Sequence, residues 1–233
     1  ENNGNSEDIF SISASSLNNW VSASSDSSVT VAYASSETFT ITMDVPHVAA
    51  GTTDSWSVDV TAGNDGTQTS NDGGTTTVAV VSGHTVTIAD SSSNADPGAT
   101  ATYYFTITNT GNADESFAYT TSGNPGSGST ALGMGDSETV AVSHTIGSAS
   151  AAGDQSTVTF TSGSESATAT TTTNQIYGVT ISLQSTTDNG GISPGETFNA
   201  VYTVTNTGNG ADTIAINFDG DWLAGASGIT HNL

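Results

Sequence analysis

A short pattern that recurs along the chain constrains its fold more than any other feature. Residues 104–112 read Tyr-Phe-Thr-Ile-Thr-Asn-Thr-Gly-Asn, and residues 202–209 repeat most of this as Tyr-Thr-Val-Thr-Asn-Thr-Gly-Asn. Residues 2–5, Asn-Asn-Gly-Asn, match the end of the pattern. The copies are spaced by about 100 residues, which is the size of an immunoglobulin-like sandwich. The spacing therefore predicts tandem β-sandwich repeats.

The segments between these copies alternate apolar residues with Ser or Thr. Residues 39–43 read Phe-Thr-Ile-Thr-Met, and residues 56–60 read Trp-Ser-Val-Asp-Val. A period of two is typical of half-buried strands. Asn, Asp and Gly at 64–66 and at 71–74 predict turns between strands. No helical periodicity is visible, so the sequence predicts an all-β fold.

Further internal matches divide the chain into three repeats. Glu-Thr-Val-Ala-Val at 138–142 matches Glu-Thr-Phe-Thr-Ile at 37–41, and Ala-Ala-Gly at 151–153 matches Ala-Ala-Gly at 49–51. The predicted boundaries are 1–78 for the C-terminal part of a repeat, 79–175 for a complete repeat and 176–233 for the N-terminal part of another.

The incomplete first and last repeats allow two interpretations. In one, the C-terminal part of one subunit supplies strands to the N-terminal part of the next, which builds a filament. In the other, the 233 residues are a section of a longer array. Against simple complementation, residues 3–20 and 206–222 carry the same elements twice.

The composition excludes several classes of partner. The chain has 23 acidic residues and no Lys, Arg or Cys. Without cations it cannot neutralise nucleic-acid phosphates or bind an anionic membrane surface electrostatically. No apolar stretch approaches the roughly 20 residues that span a bilayer. The Ser, Thr, Asn and Gly content is typical of an extracellular protein, with no disulfide to stabilise it.

One family resemblance follows from these motifs. Pro-Gly-Glu-Thr at 194–197, Asn-Thr-Gly-Asn at 206–209 and the Ala-Ala-Gly turns resemble bacterial and archaeal Ig-like surface repeats of the CARDB and NPCBM-associated types. The resemblance implies an Ig-like fold and a spacer, adhesive or assembly role. The middle repeat departs from the pattern, because Gly-Asn-Pro-Gly at 123–126 replaces the segment that carries a Trp.

Clustered acidic turns make calcium the strongest chemical hypothesis. Calcium takes several oxygen ligands from carboxylates, amides and backbone carbonyls. The candidate ligands are Asp65, Asp72, Asp188, Asp219 and Asp221. No segment matches a twelve-residue EF-hand loop, and solvated turn residues are the alternative interpretation of each cluster.

No catalytic constellation is visible in the sequence. The four histidines, His47, His84, His144 and His231, have no matched nucleophile or acid around them. We therefore expect the protein not to be an enzyme, and the sequence establishes no cofactor, with calcium as the one candidate.

A carbohydrate-binding surface would need exposed aromatic rings. Trp20, Trp56 and Trp222 lie at repeat-equivalent or strand-alternating positions, which favours the core for all three.

The sequence as a whole predicts a structural subunit of an extracellular filament or surface layer of a prokaryote. Its main partner is another copy of itself, bound head to tail, with divalent cations and surface glycans as further candidates and with neither nucleic-acid binding nor membrane insertion. The alternatives are a spacer or adhesive repeat of a larger secreted enzyme or adhesin, and a carbohydrate-binding module.

Overall fold

The computed structural model describes residues 1–187 and 191–217 and the backbone of 229–232. Within those ranges the chain forms strands, turns and irregular segments without a helix, so the prediction of an all-β fold is confirmed. The strands are β1 (Asp8–Ser16), β2 (Val21–Ser24), β3 (Ser28–Val31), β4 (Ile41–Met43), β5 (Thr53–Ala62), β6 (Thr69–Thr77), β7 (His84–Ile88), β8 (Ser92–Ala95), β9 (Thr100–Asn109), β10 (Glu115–Thr121), β11 (Ser127–Leu132), β12 (Ser137–Thr145), β13 (Gln155–Ser162), β14 (Glu165–Thr173), β15 (Val179–Thr186), β16 (Ala200–Asn206), β17 (Thr213–Ile216) and β18 (Ile229–Asn232).

These strands form several small sheets rather than one large one. The sheets have the orders β3-β1-β5-β6, β11-β10-β13-β14-β8 and β12-β9-β7. Three further pairs are β2–β4, β15–β16 and β17–β18. The arrangement is consistent with β-sandwich architecture, whereas the Ig-like identity of the repeats stays a prediction.

The chain divides into two compact units. The first contains residues 1–85 with 108–116 and 131–137, and it includes the β3-β1-β5-β6 sheet. The second contains residues 86–107, 117–130 and 138–233. These units follow a different division from the predicted repeats, whose boundaries remain predictions; the terms first, middle and third repeat are used below for 1–78, 79–175 and 176–233.

The core of the second unit shows why period-two alternation produces this fold. Tyr103, Phe105 and Ile107 on β9 are buried, and the alternating residues between them are more exposed. The ring of Phe105 stacks on that of Phe160 on β13, with centroids 5.1 Å apart, and the ring of Tyr119 on β10 also stacks on Phe160, with centroids 4.8 Å apart. Offset stacking of this kind adds to the free energy of burying the rings.

The first unit uses the same principle with different residues. Ile12 of β1 and Val58 of β5 are buried, together with Trp20 and Val31. In the antiparallel pairing of β1 with β5, Ala14 lies opposite Val58 and Ile12 lies opposite Val60, so one face of the pair collects the apolar residues.

One turn prediction is wrong and a second is confirmed. Residues 71–74 lie inside β6, where Asp72 pairs with Val58 and Gly74 pairs with Trp56. Glycine fits there because the Trp56 ring lies across it, so that a Cβ on Gly74 would come 2.9 Å from Cζ2. Residues 64–66 do lie in the loop that joins β5 to β6.

Candidate junction and metal sites

The recurring Asn-x-Gly-Asn segments at 2–5, 109–112 and 206–209 are called Asn turns below. In the middle copy Asn109 is buried, and its Oδ1 accepts a hydrogen bond from the Gly111 N–H at 2.9 Å. Its Nδ2 donates to the carbonyls of Ala113, Leu132 and Gly133 at 2.8, 3.1 and 3.1 Å. One amide side chain therefore closes the turn and fixes it to the end of β11.

The other two Asn turns have the same internal geometry. Asn2 Oδ1 accepts from the Gly4 N–H at 2.9 Å, and Asn206 Oδ1 accepts from the Gly208 N–H at 2.8 Å. Each Nδ2 donates to the carbonyl four residues later, at 2.8 Å to Ser6 and at 2.9 Å to Gly210. Asn2 Nδ2 also reaches the Val31 carbonyl at 2.8 Å. Residues 2–5 are thus a structural copy of the motif.

The last asparagine of the middle Asn turn binds a different part of the chain. Asn112 is buried, and its Oδ1 accepts from the Val81 N–H at 2.8 Å while its Nδ2 donates to the Ala79 carbonyl at 2.9 Å. Its carbonyl accepts from the Ala50 N–H at 2.8 Å. Asn112 therefore connects the start of the middle repeat to the Ala-Ala-Gly turn at 49–51.

The third Asn turn forms the same junction with the corresponding residues. Asn209 Oδ1 accepts from the Ile176 N–H at 2.7 Å, and its Nδ2 donates to the Asn174 carbonyl at 2.9 Å. The Asn209 carbonyl accepts from the Ala152 N–H at 2.9 Å. In this second junction, residues 174–178 have the role that 79–83 have in the first, and residues 151–153 have the role of 49–51. We call 79–83 and 174–178 the junction segments.

The glycine of the Asn turn is required by this contact. A Cβ on Gly111 would come 2.5 Å from the Val81 carbonyl oxygen, and one on Gly208 would meet the Ile176 oxygen in the same way. In the first Asn turn a Cβ on Gly4 would meet only Asn2 Oδ1, at 3.0 Å. Asn5 in that turn is exposed.

Sequence reasoning identified the Asn turns but not the segments that they bind. The missed signal is the match between 79–83 and 174–178, in which both segments end in glycine. Gly83 lies against Thr110 of the middle Asn turn, and Gly178 lies against Thr207 of the third. In each pair the threonine N–H donates a hydrogen bond to the glycine carbonyl at 2.9 Å.

The proposed calcium ligands fall in separate places. Asp65 lies in the β5–β6 loop, where its Oδ1 accepts from Thr67 Oγ1 at 2.6 Å and from the Thr67 N–H at 3.1 Å. These hydrogen bonds, the hydroxyl first and the backbone second, lower the pKa of Asp65. Asp72 lies on β6 and accepts from the Gly73 N–H at 2.8 Å.

Asp188, Asp219 and Asp221 lie outside the described residues. Among the residues that the structure does describe, no group of three or more His, Cys, Asp and Glu side chains is placed to hold a metal ion. Calcium binding stays a prediction.

Asp54 is a buried carboxylate that the sequence did not single out. Its Oδ1 accepts from the Asn18 N–H at 2.8 Å, and its Oδ2 has no hydrogen-bond partner. The hydroxyl of Ser156 in the middle repeat is likewise buried without a partner. Burial of a carboxylate with one oxygen unpaired destabilises the folded state.

The histidines and tryptophans lie apart from one another. His47 is exposed in a bend, and His84 and His144 are half-buried on β7 and β12. Only the backbone of His231 is described. Trp20 is buried and Trp56 is half-buried, which agrees with a core position for Trp20. Trp222 lies outside the described residues.

The chain also has a large exposed apolar surface on β15 and β16. Val179, Ile181 and Leu183 on β15 are more than half exposed, as are Val201 and Tyr202 on β16. Ile181, Leu183 and Tyr202 lie on one face of the strand pair, and contiguous exposed apolar surface is typical of an interaction site.

No helix among the described residues is long and apolar enough to cross a membrane.

Comparisons with known proteins add two structural similarities. No protein family matches the chain, and no curated protein matches it. The chain is similar to a crystal structure of domains 4 and 5 of the S-layer protein SbsC, with 20% identity, a TM-score of 0.28, and coverage of 75% of this chain and 73% of that one. It is also similar to a structure of SbsC domains 4–9, with 16% identity, a TM-score of 0.29, and coverage of 99% and 35%.

The chain thus spans about a third of the longer SbsC structure. At these TM-scores neither similarity assigns a fold family or a function to this chain, and the proposals below rest on its own residues.

Proposed function

We propose that this protein is a structural subunit of an extracellular filament or surface layer of a prokaryote, which associates end to end through Ig-like repeats of the CARDB or NPCBM-associated type. The observation that carries the proposal is the junction that is formed twice with the same hydrogen bonds, by Asn112 in the first unit and by Asn209 in the second. In both copies the carbonyl of that asparagine also accepts a hydrogen bond from an N–H of the preceding repeat, from Ala50 or from Ala152. Consecutive repeats are thus held together by hydrogen bonds rather than joined only by a free linker.

Such a junction suits a mechanical role. In repeat proteins the free energy of folding is approximately a sum of the repeats and their nearest-neighbour contacts. A side chain with an acceptor and a donor engaged at the same time fixes orientation as well as distance, because each hydrogen bond has its own angular preference. The second junction reproduces the first although most of its residues differ, which supports selection for the geometry itself.

Charge supports an extracellular setting and self-association. The formal net charge is −23, with no Lys or Arg to balance it. Nucleic acid and anionic membrane surfaces would repel such a chain. Two copies would also repel each other, so we propose that association depends on apolar contact and on screening by divalent cations, calcium among them.

We also propose that the protein has no catalytic activity. His47, His84 and His144 lie in different parts of the described chain, His47 in a bend, His84 on β7 and His144 on β12, rather than in one cluster on a single element.

Electron microscopy of the purified full chain tests the proposed function directly. We expect filaments or a two-dimensional lattice, and we expect the assemblies to become more abundant as protein concentration and ionic strength rise. Light scattering across the same series gives the mass. A monodisperse particle of monomer mass, 23.2 kDa, under every condition would contradict the proposal and favour a spacer in a larger secreted protein.

Chelation tests the cation component separately. If calcium bridges copies or stabilises loops, EDTA should lower the melting temperature or shorten the assemblies, and added Ca²⁺ but not Na⁺ at equal ionic strength should restore them. An unchanged melting temperature and unchanged assemblies would remove calcium from the proposal without affecting the structural role.

A further inference from the structure

An exposed aromatic ring lies on an uncharged sheet face of the middle repeat. Tyr104 on β9 is 59% exposed, whereas its neighbours Tyr103 and Phe105 point inward and are buried. The outward residues around it on β9 and on the paired strand β12 are small and neutral: Thr100, Thr102 and Thr106 on β9, with Thr139, Ala141, Ser143 and Thr145 on β12. These residues and Tyr104 belong to the second unit and are called the Tyr104 face below.

Cross-strand hydrogen bonds give the register of this face. Two hydroxyl–hydroxyl hydrogen bonds of 2.9 and 3.0 Å link the strands, in the pairs Thr106–Thr139 and Thr100–Thr145. In the antiparallel register that these pairs define, Tyr104 lies opposite Ala141 and Thr102 lies opposite Ser143. The largest side chain of the face is thus next to its smallest, which leaves space beside the ring over the neighbouring strand.

The segment 123–126, in which the middle repeat departs from the sequence pattern of the other repeats, lies beside β12. The N–H of Asn124 donates to the Ser143 carbonyl at 2.8 Å, and the N–H of Ser143 donates to the Asn124 carbonyl at 2.9 Å. A Cβ on Gly123 would come 2.6 Å from the Ser143 carbonyl oxygen, so glycine is required for this close approach. The Gly-Asn-Pro-Gly segment therefore fixes Asn124 against the strand.

Asn124 adds an amide to the Tyr104 face. Asn124 and Ser143 form an antiparallel bridge, so their side chains are on the same side of the sheet. Asn124 is exposed, and it lies two strand spacings from β9, or about 10 Å. Its side chain offers two donors and one acceptor, and the Ser143 hydroxyl between it and Thr102 can also accept. The face thus has a ring at one position and polar groups across the neighbouring strands.

This combination of groups fits the chemistry of a neutral sugar chain. A pyranose ring has C–H groups on its faces and hydroxyls around its edge. The C–H groups are slightly positive and stack on the negative face of an aromatic ring. The hydroxyls both donate and accept, so amide and hydroxyl side chains can pair with them.

Charge distinguishes a neutral glycan from other occupants. The chain has a formal net charge of −23, so an anionic polysaccharide would be repelled by the molecule as a whole. A second copy would be repelled too, and this face has little apolar surface to offset the repulsion. A cationic partner would be attracted to carboxylates, which lie outside the face. A neutral polymer is subject to neither effect.

We propose that the Tyr104 face binds a neutral polysaccharide, with one sugar ring stacked on Tyr104 and the next lying over Ala141 within reach of Asn124. The site gives the protein a second kind of partner besides another copy of itself. In an extracellular structure this contact holds the subunit against glycans of the cell surface. Binding does not require self-association, so this proposal and the proposed function can fail separately.

Affinity electrophoresis of the full chain tests the proposal. The protein runs in native gels that each contain one neutral polysaccharide (mannan, laminarin, dextran, hydroxyethyl cellulose or glycol chitin) or anionic alginate. Protein concentrations are kept where light scattering gives the monomer mass, so that assemblies do not alter the mobility. We expect at least one neutral polysaccharide to retard the chain, and we expect alginate to leave its mobility unchanged.

Substitutions with matched controls locate the site. Tyr104→Ala should weaken binding by roughly tenfold or more, because one stacked ring is lost, whereas Tyr104→Phe should keep it. The control Tyr33→Ala removes a tyrosine of the first repeat that is 63% exposed. Asn124→Asp should weaken binding several-fold, because a charge replaces two donors. Asn94→Asp adds the same charge at an exposed position of the other sheet and should have little effect.

The outcomes separate this site from the broader proposal. No retardation by any of the five neutral polysaccharides would overturn the glycan site and leave the proposed structural role standing. Equal weakening in Tyr104→Ala and Tyr33→Ala, or no weakening in either, would overturn it as well. If Tyr104→Ala instead altered the balance of monomer and assembly while the original chain showed no retardation, the face would be a contact between copies and the glycan proposal would be wrong.

Discussion

Replacing Asn109 by alanine tests the claim that a single buried amide anchors the middle Asn turn. Asn109 is 1% exposed and loses four contacts in Asn109→Ala: the Gly111 N–H and the carbonyls of Ala113, Leu132 and Gly133. Two Nδ2 hydrogens serve the three carbonyls, so about three hydrogen bonds are lost. At about 1 kcal/mol each, and with buried partners left unpaired, the variant should be destabilised by about 3 kcal/mol.

Asn5 provides the matched control, since it has the same side chain in an Asn turn but is exposed. Asn5→Ala should change the free energy of unfolding by less than about 0.5 kcal/mol, as is usual for surface substitutions. Both variants keep the net charge of the chain, so electrostatic repulsion does not differ between them.

Hydrogen exchange is the suitable assay because the middle repeat has no tryptophan and several repeats need not unfold in one step. Amides of β9 and β11 should exchange roughly a hundredfold faster in Asn109→Ala, which corresponds to about 3 kcal/mol. The anchoring role would be refuted if the free energy of opening of β9 and β11 changed by less than about 1 kcal/mol in a folded Asn109→Ala variant. An equal change in Asn5→Ala would refute it too.

Three further predictions follow from individual contacts. Ala34 (φ 55°) and Gly135 (φ 79°) occupy the same left-handed position in two repeats. Gly135→Ala should therefore destabilise its repeat by about 1 kcal/mol and Ala34→Gly should stabilise its repeat slightly, both measured by hydrogen exchange; the same sign for both would contradict this account. Asn112→Ala should make the junction segment 79–83 about tenfold more susceptible to subtilisin, because the Val81 and Ala79 peptide groups lose their partner; an unchanged cleavage rate would argue against the junction. Thr67→Val should raise the pKa of Asp65 towards its ordinary value of 3.8 in an NMR titration. Because the pKa of Asp65 is lowered in the folded state, its ionised carboxylate stabilises the fold above the unfolded pKa, and this stabilisation is lost as pH falls through the folded pKa. The Thr67→Val variant should therefore lose less stability than the original chain when the pH is lowered over that range.

The fold was largely predictable because its main signals are local. Alternation in residues such as Tyr103, Phe105 and Ile107 determines which face of β9 is buried, and the Asn turn marks where that strand ends. The turn prediction at 71–74 failed because Asn, Asp and Gly indicate turns only on average. At Gly74 the glycine instead accommodates the Trp56 ring from the neighbouring strand, a contact between distant residues.

The site was predictable only in part for the same reason. Repetition singled out Asn112 and Asn209, but their partners lie about 30 residues earlier in the chain and have side chains that take no part in the contact. The junction binds backbone N–H and carbonyl groups of Val81 and Ala79, and backbone groups are identical in every residue except proline. Sequence periodicity could not distinguish that segment from any other extended one.

The Asn junction also has a direction, and this gives the maturation of the chain a polarity. The N–H of Ala50 in the first repeat finds its acceptor in the next repeat, at the backbone carbonyl of Asn112, whose side chain holds residues 79–81. A newly emerged repeat consequently reaches its final hydrogen-bonding state only after its successor has emerged and has folded up to its own Asn turn. Each repeat is completed by the repeat that follows it in the chain, so folding is completed from the N-terminus onward, one repeat later than each repeat emerges.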